Sequence, residues 1–212
     1  MAELDLGPLE AVVRPRLDAT YRAREKGLAA SRTLIRTSAN AIRALHRNET
    51  DKADSLMAEA AGILAELNQA VRDEVGLAGA GFVSDATKEF AEARLTAALF
   101  RGEQLPLPDE LGVAAAPYLH GLGEAVGEQR RRLLDSLRDG DIDGAERLLG
   151  AMNEILDLLA SLDYPDGMTH GLRRTTDVAR ALIERSRADL TTTVVQERLR
   201  AELAQRMPAD EV

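Results

Sequence analysis

The chain has 212 residues, of which 45% are hydrophobic but only 3% aromatic, and it carries a formal net charge of −9 with no Trp and no Cys. That length suffices for one large domain or two small ones, and the absence of cysteine excludes disulfides, thiolate-bound zinc and thiol catalysis while pointing to a cytosolic, cytoplasmic setting. No apolar run approaches the roughly 20 residues a membrane span requires, the N-terminal stretch lacks the basic and apolar regions of a signal peptide, and the acidic total taken alone disfavours nucleic-acid binding.

Ala, Leu, Glu and Arg dominate, which is the composition of helices. Helical spacing predicts a first helix from about Leu9 to His46, with Pro15 in its first turns or marking its start or a kink. The stretch Asn48-Glu49-Thr50-Asp51 ends it, and Thr50 or Asp51 is the expected cap of a second helix reaching about Val75. The glycine-rich run from Gly76 to Gly81 is expected to leave the helix. Ser84 or Asp85 then opens a third helix that ends near Arg101-Gly102, and the Pro106–Pro108 connection is expected to be extended. Pro117 fits the first turn of a fourth helix running to Arg138. Asp141 caps a fifth to about Leu162, and Thr169 is the expected cap of a last helix to about Gln205. No stretch alternates, so no strand is expected. The expectation is an all-α chain, a single helical bundle of six or seven helices forming one domain over residues 1–212.

Two acidic pairs carry the chemistry. In the third helix the apolar stripe follows Phe82, Ala86, Phe90, Ala93, Ala97 and Phe100, and Glu89 lies within it. Glu92 follows three residues later, so both carboxylates project from one face. A carboxylate near a core face is costly unless paired or bound to a metal. In the fourth helix Glu124 and Glu128 stand one turn apart among Gly121, Gly123 and Gly127. Each mid-helix glycine costs about 1 kcal/mol relative to alanine, and three so close together suggest a backbone that something approaches closely. Two acids on each of two helices make an all-oxygen ligand set suited to Mg²⁺ or Mn²⁺, which activates water and offsets phosphate charge. The same spacings also occur on ordinary solvated helix faces.

These residues carry a family resemblance. Lys-Glu-Phe-Ala-Glu-Ala (Lys88 to Ala93) resembles the Gln-Glu-Tyr-Val-Glu-Ala motif of TRAX proteins. Tyr-Leu-His-Gly-Leu-Gly-Glu-Ala-Val-Gly-Glu (Tyr118 to Glu128) resembles their Tyr-Leu-x-Gly-x-x-Asp-x-x-Gly-Glu. The arginine-bearing first helix ending in Leu45-His46-Arg47 and the Asp139-Gly140-Asp141 turn are similar to the same family. The chain thus resembles the translin/TRAX family along nearly its whole length. The resemblance places the metal-binding and catalytic acids on Glu89, Glu92, Glu124 and Glu128, the third being Glu where TRAX has Asp. It implies a metal-dependent endoribonuclease for single-stranded, looped or nicked RNA. It also implies a barrel-like homo-oligomer, often an octamer, that serves as both scaffold and enzyme.

Arg22, Arg24, Arg32, Arg36 and Arg43 on the first helix, Arg130, Arg131 and Arg132 after the acids, and Arg173 and Arg174 on the last helix are candidate phosphate contacts. They equally suit a salt-bridged surface. His46, His120 and His170 complete no metal motif, and His120 is expected to cap or pack. Two other functions compete. An all-α MazG/dUTPase-type nucleoside triphosphate pyrophosphohydrolase also pairs acids on two helices, but usually with three-residue spacing in the second pair. A non-catalytic RNA- or DNA-binding shell would bind without cleaving.

Overall fold

The structure is a computed structural model that describes residues 4–206. Those residues form nine helices and no strand. Six are long: α1 (Gly7–His46), α2 (Thr50–Val71), α4 (Gly81–Arg101), α6 (Ala115–Arg138), α7 (Ile142–Ser161) and α9 (Leu172–Arg206). Three are single turns: α3 (Val75–Ala78), α5 (Pro108–Leu111) and α8 (Asp166–Thr169). No helix of the described residues is long and apolar enough to cross a membrane.

The six long helices are those expected, and the single turns correct the sequence reading. The Gly76–Gly81 run is not a plain loop, because it holds the last three residues of α3 and the first residue of α4. The connection after Gly102 is not wholly extended: Pro108 sits at the start of α5, where its missing N–H costs nothing, and Glu110 accepts a hydrogen bond from the Leu107 N–H at 2.7 Å. Thr169 does not cap the last helix but ends α8. Positive φ at His170 and Gly171 then turns the chain, and α9 starts at Leu172. Nor do Thr50 and Asp51 cap α2; both lie inside its first turn. Pro15 is accommodated within a continuous α1.

Asp141 does act as expected. Its carboxylate accepts the Gly144 N–H at 2.8 Å, satisfying one of the orphan donors at the start of α7. Asp141→Ala is therefore expected to cost about 1 kcal/mol, read as a lower urea midpoint at unchanged m-value.

The chain forms two compact units. The first holds residues up to Arg94 together with Leu107–Pro117. Its centre is the α1–α2 pair, where Leu34, Ala41 and Leu45 are buried on α1 and Ala53, Met57, Ala60, Leu64 and Leu67 on α2. Gly27 permits a close approach: a Cβ there would lie 3.1 Å from the Phe82 ring and 3.3 Å from Val71. The opposite face of α1 is exposed, and it carries Arg22, Arg32, Arg36 and Arg43.

The second unit holds Leu95–Pro106 and the chain from Tyr118 onward. Leu122, Val126, Leu133, Met152, Ile155, Leu159, Ala179 and Ile183 form its core. Successive contacts from α6 to α9 step in the same direction, from His120 with Thr175 to Arg130 with Ser186, so these helices run parallel while α7 reverses between them. Apolar side chains remain uncovered at both chain ends. Leu9, Val13, Leu17 and Tyr21 form one stripe on α1, and Val195, Leu199 and Leu203 form another on α9.

Candidate metal centre

Helix α4 carries Glu89 and Glu92 in the phase the sequence implied. Ala86, Phe90, Ala93 and Ala97 are buried on the core face of α4, Glu92 is buried with them at 8% exposure, and Glu89 is half-buried. On α6, Leu122, Ala125, Val126, Gln129 and Leu133 are buried, which leaves Glu124 and Glu128 half-buried at the edge of that face.

One carboxylate oxygen each from Glu89, Glu92 and Glu124 lies within 4.8 Å of the other two. Ligands around a single Mg²⁺ sit about 2.1 Å from it, so opposite ones are about 4.2 Å apart. The donor set is all oxygen, which fits a hard divalent cation such as Mg²⁺ or Mn²⁺. Glu128 stands one turn beyond Glu124 on α6 and is not one of these three.

Lys88 was not singled out from the sequence. Its ammonium lies 3.3 Å from Glu89, and both side chains are largely screened from solvent. The chain has only Lys26, Lys52 and Lys88 as lysines, so the cation beside the first acid was visible in the sequence as a rarity without a stated role.

The backbone of α6 is shaped for close contact. A Cβ on Gly123 would lie 2.3 Å from the Thr175 methyl, so α9 passes against α6 beside Glu124. His120 braces the same junction. Its Nδ1 lies 2.7 Å from the Thr175 hydroxyl and its Nε2 lies 2.9 Å from the Thr169 carbonyl. A carbonyl only accepts, so Nε2–H donates to it, while Nδ1 shares a hydrogen bond with the hydroxyl. His120 thus packs and braces, as its isolation in the sequence suggested.

The arginines divide into two sets. Arg22, Arg32, Arg36 and Arg131 are exposed and have no ion-pair partner among the described residues. Arg24 pairs with Glu25, and Arg43 bonds Asn40. Arg130 is engaged within the chain, donating to the Ser186 hydroxyl at 2.9 Å and pairing with Asp189 at 2.9 Å, which ties α6 to α9. The Arg132 guanidinium stacks over the Phe100 ring at 4.4 Å, a cation–π contact. Arg173 and Arg174 are exposed at the start of α9.

No family model matches the chain. An uncharacterized protein of Methanocaldococcus jannaschii is 28% identical over 185 residues, covering 85% of this chain and 80% of that protein. Among solved structures, AfC3PO alone and AfC3PO in complex with duplex RNA each superpose with a TM-score of 0.79 at 32% identity, over 86% of this chain and 95% of theirs. Apo-NeC3PO shares the fold at a TM-score of 0.78 with 19% identity, over 90% of this chain and 100% of its own. The all-α architecture, the order of its long helices and a third of the positions shared along nearly the full length of AfC3PO converge on one assignment: the chain belongs to the translin/TRAX-like family.

Proposed function

We propose that the chain is a metal-dependent endoribonuclease that cleaves single-stranded RNA, or RNA with loops or nicks, inside a shell built from copies of itself. The observation that carries the reading is the grouping of one oxygen each from Glu89, Glu92 and Glu124 within 4.8 Å, with Glu92 buried and the other two half-buried. In this reading those three carboxylates hold one Mg²⁺ or Mn²⁺. Glu128, one turn after Glu124, completes the ligand set or orients the attacking water. A divalent ion in such a site lowers the pKa of water and offsets charge on a scissile phosphate.

The other residues bind and position. Arg22, Arg32 and Arg36 share the exposed face of α1, and Arg22 and Arg36 are about 20 Å apart along the axis at 1.5 Å per residue. That spacing suits contact with successive backbone phosphates, which needs no base recognition. Arg131 extends the cationic surface from α6, whereas Arg130 holds α9 against it. A net charge of −9 is compatible with such a local row, because recognition depends on where charge lies. AfC3PO, which has been solved with duplex RNA, supports the RNA partner. The uncovered apolar stripes of α1 and α9 support association with further copies, up to an octamer.

The test is a cleavage assay on labelled single-stranded RNA with Mg²⁺, Mn²⁺ or EDTA, with Glu89→Gln beside the parent protein. Metal-dependent products that disappear with Glu89→Gln support the reading. Binding that persists in EDTA with no cleavage in either metal leaves a non-catalytic RNA-binding shell.

A further inference from the structure

The first part of α1 stands outside the packing of its own unit. Every residue from Gly7 to Ala19 is exposed, about 20 Å of helix at 1.5 Å per residue. Thr20 is the first to be partly covered, its hydroxyl donating to Glu74 at 2.8 Å, and Gly27 is the first to be buried. Yet this arm is not polar all round. At about 100° per residue, Leu9, Val13, Leu17 and Tyr21 fall within an arc of about 120°, and Pro15 falls opposite them. A proline inside a helix weakens it, and helices in proteins owe most of their stability to packing of an apolar face. An arm of this kind calls for a partner on its apolar side.

The charges say which partner. Residues 4–13 carry Asp5 and Glu10 and no cation, whereas residues 14–24 carry Arg14, Arg16, Arg22 and Arg24 against Asp18 alone. Glu10 pairs with Arg14 of its own helix, and Arg16 and Arg22 have no ion pair among the described residues. Two such arms laid parallel set arginine beside arginine. Laid antiparallel, the acidic stretch of each meets the basic stretch of the other, and flanking charges of this kind fix helix orientation. The apolar residues have the matching symmetry: Leu9 and Leu17 each stand four residues from Val13.

We propose that the exposed arm of α1 is a self-pairing surface. The arms of two copies of this chain lie antiparallel about a twofold axis at Val13, with Leu9 of each against Leu17 of the other. Glu10 of each then comes level with Arg16 of the other, and Pro15 faces away from the seam. The contact is isologous, so one patch serves both copies. The assignment rests on the proposed association of copies and is independent of the metal site.

The test is sedimentation velocity and cysteine cross-linking of the full chain, which has no cysteine of its own to confuse the result. Leu17→Glu is expected to lower the mass of the assembly at least about twofold, since an isologous contact joins copies in pairs. The variant is expected to stay folded, because Leu17 is exposed and lies outside the core. Val13→Cys is expected to form a disulfide between copies on oxidation. Leu9→Cys and Leu17→Cys, co-expressed with a size tag on one of them, are expected to be joined to each other by a short bismaleimide several-fold more than either is joined to itself. Each joined to itself in preference means parallel arms and overturns the proposal. Leu17→Cys joined in preference to Leu199→Cys puts α9 of a second copy on the stripe and overturns it too. Parental mass in Leu17→Glu overturns the arm pairing while leaving the association of copies intact. A parent chain that stays monomeric, whether or not it binds phosphatidylglycerol vesicles, overturns both, and Mn²⁺ titration still decides the metal site separately.

Discussion

Glu92→Gln is expected to abolish Mn²⁺ binding and RNA cleavage. Glu92 is the most buried of the three clustered acids, at 8% exposure, with Glu89 and Glu124 oxygens within 4.8 Å. Two like charges at that distance repel by on the order of 3 kcal/mol at an effective dielectric constant of about 20. Lys88 offsets part of this for Glu89. A neutral amide turns an acceptor into a group that presents N–H toward a cation. Cleavage is expected to fall by at least about 100-fold, as for loss of a group that fixes transition-state charge. The stabilisation the ion gives the parent, about 2.7 kcal/mol at 100 times its Kd, is expected to vanish. Thermal unfolding with and without Mn²⁺ reads that loss. A variant that keeps its Mn²⁺ shift refutes the cluster as a metal centre.

Gly123→Ala is expected to destabilise the chain by about 1–3 kcal/mol, the usual cost of overpacking. The added methyl would meet the Thr175 methyl at 2.3 Å. Thr175 cannot rotate away without breaking its 2.7 Å hydrogen bond to His120. Thr175→Ser removes the obstructing methyl and keeps the hydroxyl. The double variant Gly123→Ala/Thr175→Ser is therefore expected to recover most of the lost stability, a coupling that urea unfolding of the four-member cycle measures. Additive losses would show that the two residues do not meet. Because Glu124 follows Gly123 directly, the single variant is also expected to cut cleavage before it unfolds the chain.

The long helices were legible because each runs for several turns with its apolar face in phase, and turn residues, glycines or prolines interrupt the chain between them. Asp141 and Pro117 behaved as local chemistry dictates, since a cap depends on neighbours within one turn. The single turns α3, α5 and α8 were not legible, because four residues present no period to read. Thr169 shows the limit of cap reading: it precedes an apolar run, but the left-handed pair His170-Gly171 moves the helix start beyond it.

The acids of the candidate site could be read from spacing along each helix, whereas their meeting across helices could not. The same limit hid Lys88, whose interest depends on the acid its ammonium meets. Arg130 and Arg131 are indistinguishable neighbours in the sequence, yet one helical step of 100° turns Arg130 onto α9 and Arg131 into solvent.

The bare leucines and valines near the two chain ends make dilution an experimental variable. A single chain in isolation must keep Leu17 and Tyr21 on α1, and Leu199 and Leu203 on α9, wet. Association of copies, as proposed above, would relieve that hydration cost, so melting curves and turnover are expected to drift with protein concentration even where the chemistry is unchanged.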